Sequence, residues 1–237
     1  MTKRFSVRWP DPRPFVGRDG PIRILAASDA LEPTLEHAHN REQMGRIDLV
    51  VGCGDLEPDW LGFLADSFRA PLQYVRGNHD RGLGWHAANV HVPDAMPDAG
   101  LVKESGLRLF GLNWPGEPAG RAERDEGAAR IQALLLWWRA RRSRQPVIVV
   151  SHVPPAGMGD GPDPYHAGFA GYRWVVERLR PPLWLHGHTT VDGSAPWNCR
   201  HEDTALVNVT GAVLIELQPP DSTEQQGASG GASARET

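Results

Sequence analysis

Five short apolar runs in this chain each stop on a side chain that can bind metal or move protons. Ile22 to Ala27 stops at Ser28-Asp29, and Leu49-Val50-Val51-Gly52 stops at Cys53-Gly54-Asp55. Leu72 to Val75 runs into Arg76-Gly77-Asn78-His79-Asp80. Pro146 to Val150 stops at Ser151-His152, and Leu183-Trp184-Leu185 stops at His186-Gly187-His188. Short apolar runs bounded by turn residues read as buried strands. In open α/β sheets the site lies beyond the carboxyl ends of the strands. Asp29, Asp55, Asn78, His152 and His188 all fall at such ends, so they point to one shared site. A lone Asp after a strand is ordinarily a helix cap. Five such coincidences with metal-ligand side chains are hard to attribute to capping.

The segments between these runs read as helices and further strands. Pro33 to Met44 is a polar surface helix with its acids early. Pro58 to Phe68 is a second helix, with Pro58 near its first turn. Ala122 to Arg144 carries the strongest helical signal, with an apolar centre at Ile131 to Trp138, and Phe169 to Leu179 is a fourth helix. Short strands fit Asn89 to Val92, Leu101-Val102 and Leu107 to Leu112. Ala205 to Val209 and Ala212 to Leu217 read as a closing hairpin around Thr210-Gly211. The alternation of strands and helices predicts an α/β domain over residues 21–218. Residues 1–20 read as an N-terminal extension. Residues 219–237, rich in Gln, Gly, Ser and Ala, read as a disordered tail.

Composition narrows the function. A chain of 237 residues suits one α/β domain of moderate size. A net charge of −4 gives no electrostatic reason for nucleic-acid binding. Cys53 and Cys199 are too few for a disulfide framework, so a reducing compartment, the cytoplasm, is expected. Lys3 and Arg4 are followed by Pro10-Asp11-Pro12-Arg13 and not by an apolar core, which argues against a signal peptide. No apolar run approaches the roughly 20 residues of a membrane span.

Taken together, Ser28-Asp29-Ala30-Leu31, Gly54-Asp55, Gly77-Asn78-His79-Asp80, Ser151-His152 and Gly187-His188-Thr189-Thr190 resemble the calcineurin-like metallophosphoesterase superfamily. Its pattern is Asp-x-His, Gly-Asp, Gly-Asn-His-Asp or Glu, a His after a strand, then Gly-His-x-His. The resemblance runs from Ile22 to Thr190, and Gly-Asn-His-Asp is its most specific part. It implies a four-layer α/β sandwich of two mixed sheets flanked by helices. It also implies a two-metal phosphoester hydrolase, of which a phosphodiesterase is the expected kind, acting on a small phosphoester. One metal would be held by Asp55, Asn78, His152 and His188. Oxygen and imidazole ligands suit manganese, iron or zinc better than calcium.

The other metal site departs from the family twice. Leu31 stands where Asp-x-His has its His, and Thr190 where Gly-His-x-His has its second His. Only Asp29 and the shared Asp55 remain of its protein ligands. That site is therefore expected to be weakened, unusual or empty, for one or two ions in all. Glu32 or Asp192 could substitute. Two registers are open at the last motif, because His186 and His188 lie on one side of an extended segment. The glycine before His188 favours His188 as the ligand.

In the family a metal-activated hydroxide attacks phosphorus. By the resemblance, His79 would stabilise the phosphoryl charge or protonate the leaving oxygen. Asp80 would orient His79 through a hydrogen bond. The loop Asp163 to Phe169 borders the substrate in the family, with His166 as a candidate contact. Trp114 could stack on a substrate ring, although core packing suits most of the nine tryptophans. The basic run Arg139 to Arg144 closes a helix, where cations complement the macrodipole. Two other readings of the site are a binding protein without turnover and a nuclease, the latter disfavoured by the acidic balance.

Overall fold

A computed structural model gives the fold of residues 2–80, 85, 92–115, 124–143, 145–189 and 196–220. Among these residues eleven strands form two sheets. The first sheet contains β1 (Lys3–Arg8), β2 (Ile22–Ser28), β3 (Leu49–Cys53), β4 (Leu72–Val75) and β11 (Gly211–Gln218), in the order β1-β11-β2-β3-β4. The second contains β5 (Gly100–Glu104), β6 (Leu107–Leu112), β7 (Ile148–Ser151), β8 (Leu183–His186), β9 (Asn198–His201) and β10 (Thr204–Asn208), in the order β5-β6-β7-β8-β10-β9. The short helix α1 (Ala38–Glu42) packs beside the 3-10 turn Pro33–Glu36, α2 (Pro58–Phe68) lies with the first sheet, and α3 (Glu126–Ala140) and α4 (Ala170–Leu179) lie with the second.

The alternation of side chains along each strand builds the layers. In β2, Ile22, Ile24 and Ala26 face the core between the sheets, while Leu25 and Ala27 face Leu61 and Leu64 of α2. In β7, Ile148 and Val150 join the same central core, while Val149 packs with Leu136 of α3 and Val176 of α4. Both faces of these strands are covered, which is why they read as continuous apolar runs. The result is helix, sheet, sheet, helix: the four-layer α/β sandwich.

Strand direction positions the site. β2, β3 and β4 are parallel neighbours, and so are β7 and β8. The loops after the first three therefore leave one sheet on the same side, and those after the last two leave the other together.

Three expectations need correction, and one strand was not foreseen. Residues 3–8 are not outside the domain: β1 pairs in parallel with β11, and Val7 is buried in the central core. The segment around Thr210-Gly211 is no hairpin. β10 pairs with β8 and β9, whereas β11 pairs with β1 and β2, so Val209-Thr210 carries the chain from one sheet to the other. Two apolar runs separated by a turn look the same whether they pair together or part. Pro33 to Met44 is not one helix but a 3-10 turn, Pro33–Glu36, followed by the short α1. Strand β9 is polar and was not expected.

Helix α3 is shorter than the expected Ala122 to Arg144, of which residues 122, 123 and 144 lie outside the described ones. Asp125 caps it, accepting from the Ala128 N–H at 2.8 Å. Ala129, Ala133, Leu136 and Ala140 are buried at helical spacing, while Ile131, Leu134, Leu135 and Trp138 are exposed on the other face. The expected strand Asn89 to Val92 lies outside the described residues except for Val92, and the tail lies outside them from residue 221.

Candidate metal centre

Three of the strand-end residues take a backbone conformation that L side chains rarely adopt. Asp29, Asp55 and His188 have φ of 61°, 55° and 65°. Local hydrogen bonds hold them there. Asp29 Oδ2 accepts from the His188 N–H at 2.9 Å and from the Ser28 hydroxyl. The Asp55 N–H donates to Asp80 Oδ2 at 2.9 Å. Such positions cluster at functional sites because each turns a side chain where an ordinary turn would not.

Four Lewis-basic atoms converge across the gap between the sheets. Nδ1 of His152 lies 2.8 Å from the Cys53 carbonyl, which can only accept, so Nδ1 carries a proton. Nε2 of the same ring then points at Asp55 Oδ2 (3.1 Å), Asn78 Oδ1 (3.0 Å) and His188 Nδ1 (3.2 Å). His188 is fixed in the same manner: its Nε2 lies 2.9 Å from the Tyr165 carbonyl, so Nδ1 turns inward. Neighbouring ligands of an ion with bonds of about 2.1 Å stand about 3 Å apart. The donor set fits a transition ion, with each imidazole held by a carbonyl as metal-bound histidines commonly are.

The charges suit that reading. Burial disfavours the charged form of His152. Its hydrogen bond to Asp55, the charges of Asp29 and Asp55, and the Cys53 carbonyl win, raising its pKa to about 9. Burial, together with the His152 charge, pushes His188 down to about 4, so that ring is neutral. Burial would raise the Asp55 carboxyl, but the hydrogen bond and charge of His152 and the His79 N–H hold it below the usual range.

Asp29 begins a second position. It, Asp55 and His152 offer atoms within 4.8 Å of one another. Its Oδ2 is occupied by Ser28, by the His188 N–H and by the Thr210 hydroxyl at 3.3 Å. Leu31 is half exposed and brings no donor. Glu32 is committed to Thr34, whose hydroxyl it accepts at 2.6 Å. Thr190 and Asp192 lie outside the described residues.

Asp80 has a different part from the one expected. It does not orient the His79 ring. Its Oδ2 accepts from the Gly77 N–H (2.7 Å) and the Asp55 N–H (2.9 Å), tying the third strand-end turn to the second. Burial raises its pKa to about 6, against the pull of the Gly77 N–H. His79 is exposed; its N–H donates to Asp55 Oδ1 at 2.8 Å and its Nε2 meets the Tyr165 hydroxyl at 3.1 Å. Gly77 clears the space this needs, since a Cβ there would strike the Asp55 carboxylate.

Three further residues settle into clear roles. His188 is in the cluster, whereas buried His186 donates through Nδ1 to the Gly187 carbonyl at 3.2 Å. Trp114 is not a free stacking surface: it is buried behind the site, 5.6 Å from the His188 ring and 6.2 Å from His152. Tyr165 was not legible in the motifs. The loop bordering the site was, but no pattern says which of its side chains turns inward.

The centre opens on a cleft of about 330 Å³ lined by Asp29, Asp55, His79, Tyr165, His166 and Thr210, among others. His166 is held against Asp163 at 2.7 Å.

A family model described as calcineurin-like phosphoesterase matches residues 26–192. No curated protein matches the sequence. Among solved structures, TT1561 of Thermus thermophilus is similar in fold, with TM-score 0.54 and 16% identity over 81% of this chain and 90% of that one. A provisionally assigned 5′-nucleotidase of Staphylococcus aureus, in complex with alpha-ketoglutarate, has TM-score 0.53 and 11% identity, over 86% of this chain and 55% of its own.

Proposed function

The chain belongs to the calcineurin-like phosphoesterase family, and from that membership we propose that it is a metal-dependent phosphodiesterase acting on a small substrate in the cytoplasm. The observation that carries the proposal is the convergence of Asp55, Asn78, His152 and His188 on one point at the foot of a cleft that also holds His79. Those four residues would hold a divalent ion of manganese, iron or zinc, and Asp29 with Asp55 a second one weakly. Such an ion, when bound, supplies the Lewis acidity that makes water nucleophilic near neutral pH and offsets phosphoryl charge.

The chain's own residues do the rest. His79 reaches the cleft through Nε2 and can give a proton to the leaving oxygen or hydrogen-bond a phosphoryl oxygen, a role worth roughly 10² to 10⁴ in rate. Asp80 acts one step back, fixing the turn that presents Asn78 and His79. The oxygen of Asp29 not held by its three donors can accept a proton from the attacking water.

The cleft also favours a diester. Its lining, among the described residues, includes two carboxylates and no Lys or Arg. A monoester carries about −1.5 to −2 at neutral pH, and a diester only one negative charge. With cationic help limited to imidazoles and one complete ion site, the lower charge is repelled less. The net charge of −4 disfavours a nuclease. No helix among the described residues is long and apolar enough to cross a membrane.

The test is hydrolysis of bis-(p-nitrophenyl) phosphate and of p-nitrophenyl phosphate by the Mn²⁺-loaded chain. Faster turnover of the diester, lost in His79→Ala, is expected. A second reading is a receptor that binds metal and a phosphorylated ligand without turnover, which the donorless Leu31 favours. Bound metal with no hydrolysis of any ester would establish it and overturn the first.

A further inference from the structure

Tyr165 belongs to no motif in the chain, yet it touches three residues of the metal centre. Its phenolic oxygen accepts from Asn78 Nδ2 at 2.8 Å and meets His79 Nε2 at 3.1 Å. Its backbone carbonyl accepts from His188 Nε2 at 2.9 Å, and its ring lies 5.1 Å from the His188 ring.

The Asn78 contact has a specific consequence. A side-chain amide carries an acceptor at one corner and a two-proton donor at the other. Only the oxygen can ligate an ion. Half a turn of the amide would aim the NH₂ group at His152 Nε2, where Oδ1 now stands at 3.0 Å. Among the described residues, Tyr165 supplies the one acceptor for Asn78 Nδ2. The phenol therefore selects which end of the amide faces the ion position.

The loop is braced to do this. Asp163 Oδ1 accepts from the Tyr165 N–H at 3.0 Å and from the His166 N–H at 3.1 Å. The Arg124 guanidinium donates to the Ala167 and Gly168 carbonyls. Tyr165 is half exposed, so packing alone does not fix its hydroxyl; its partners in the centre do.

We infer that Tyr165 is a positioning residue for the metal centre, its hydroxyl holding the Asn78 amide oxygen toward the ion. The inference rests on the ligand set given under the proposed function. It is tested by titrating the metal-free full-length chain with Mn²⁺ in a calorimeter, for wild type, Tyr165→Phe, Asn78→Asp and the double variant. Phenylalanine keeps the ring and the carbonyl on His188 and removes only the hydroxyl. Tyr165→Phe is expected to weaken Mn²⁺ binding about tenfold, the low end for loss of a ligand's supporting partner. A carboxylate presents an oxygen whichever way it turns, so in the Asn78→Asp background the same change should cost less than about threefold. Unchanged affinity in Tyr165→Phe, or an equal loss in both backgrounds, would overturn the inference. Failure of the wild type to bind Mn²⁺ would instead overturn the ligand set itself.

Discussion

In the proposed ligand set, His152 carries the proton that a metal ion must displace. In the metal-free chain its pKa is raised to about 9, because hydrogen bonding to Asp55 and the charges of Asp29 and Asp55 outweigh burial. A raised histidine pKa stabilises the metal-free fold fully below about pH 6.5, and that contribution is lost as pH rises through about 9. Metal binding runs the other way. Between pH 6 and 8 the Mn²⁺ affinity should rise about tenfold per unit, with one proton released per ion. Titration in two buffers of different ionisation enthalpy measures both; a flat profile would show that His152 is no ligand. The four side chains that the fold brings together were legible in the sequence because each follows an apolar run. Asp80 and Tyr165 were not, since their parts depend on which polar groups the fold brings beside them. The missing ligands suggest a second experiment. Leu31→His combined with Thr190→His should raise bound metal from one ion toward two per chain, and an unchanged ratio would refute this explanation of the weak site.

The strand ends matter more than the strands that carry them. Gly187 lets the β8 turn pass against β2: a Cβ there would strike the Ser28 hydroxyl and the Asp29 carboxylate. Gly187→Ala should cost about 1–3 kcal/mol by overpacking and weaken Mn²⁺ binding, read by denaturant titration and calorimetry. Helix α3 offers a cleaner contrast. Leu136 is fully buried and Ile131 is 61% exposed. Leu136→Ala should destabilise by about 2–5 kcal/mol, and Ile131→Ala by no more than about 0.5 kcal/mol. Equal losses in urea would place the buried face wrongly. The existence of α3 was legible from its apolar centre; its buried face was not, because that centre is apolar nearly all round. The parting of β10 from β11 was also hidden, because pairing partners are set by distant strands.

At the scale of the whole molecule, the two sheets act as a clamp. Asp55 and Asn78 come from one sheet and His152 and His188 from the other, so the proposed ion site would exist only in the folded chain. An ion that binds only the folded state stabilises it by about 2.7 kcal/mol at a hundredfold excess over Kd. Mn²⁺ should therefore raise the melting temperature of the wild type and leave that of Asn78→Ala nearly unmoved. The α/β alternation was legible from the order of apolar runs, the four layers from the family resemblance, and the residues that converge from what ends those runs. The central claim is that one complete ion site stands beside one that has lost its ligands. Metal content per chain after reconstitution with Mn²⁺ and removal of free ion tests it most directly. One ion per wild-type chain, and none in Asn78→Ala, is the expected result. No retained ion, or two held equally in the wild type, would contradict it.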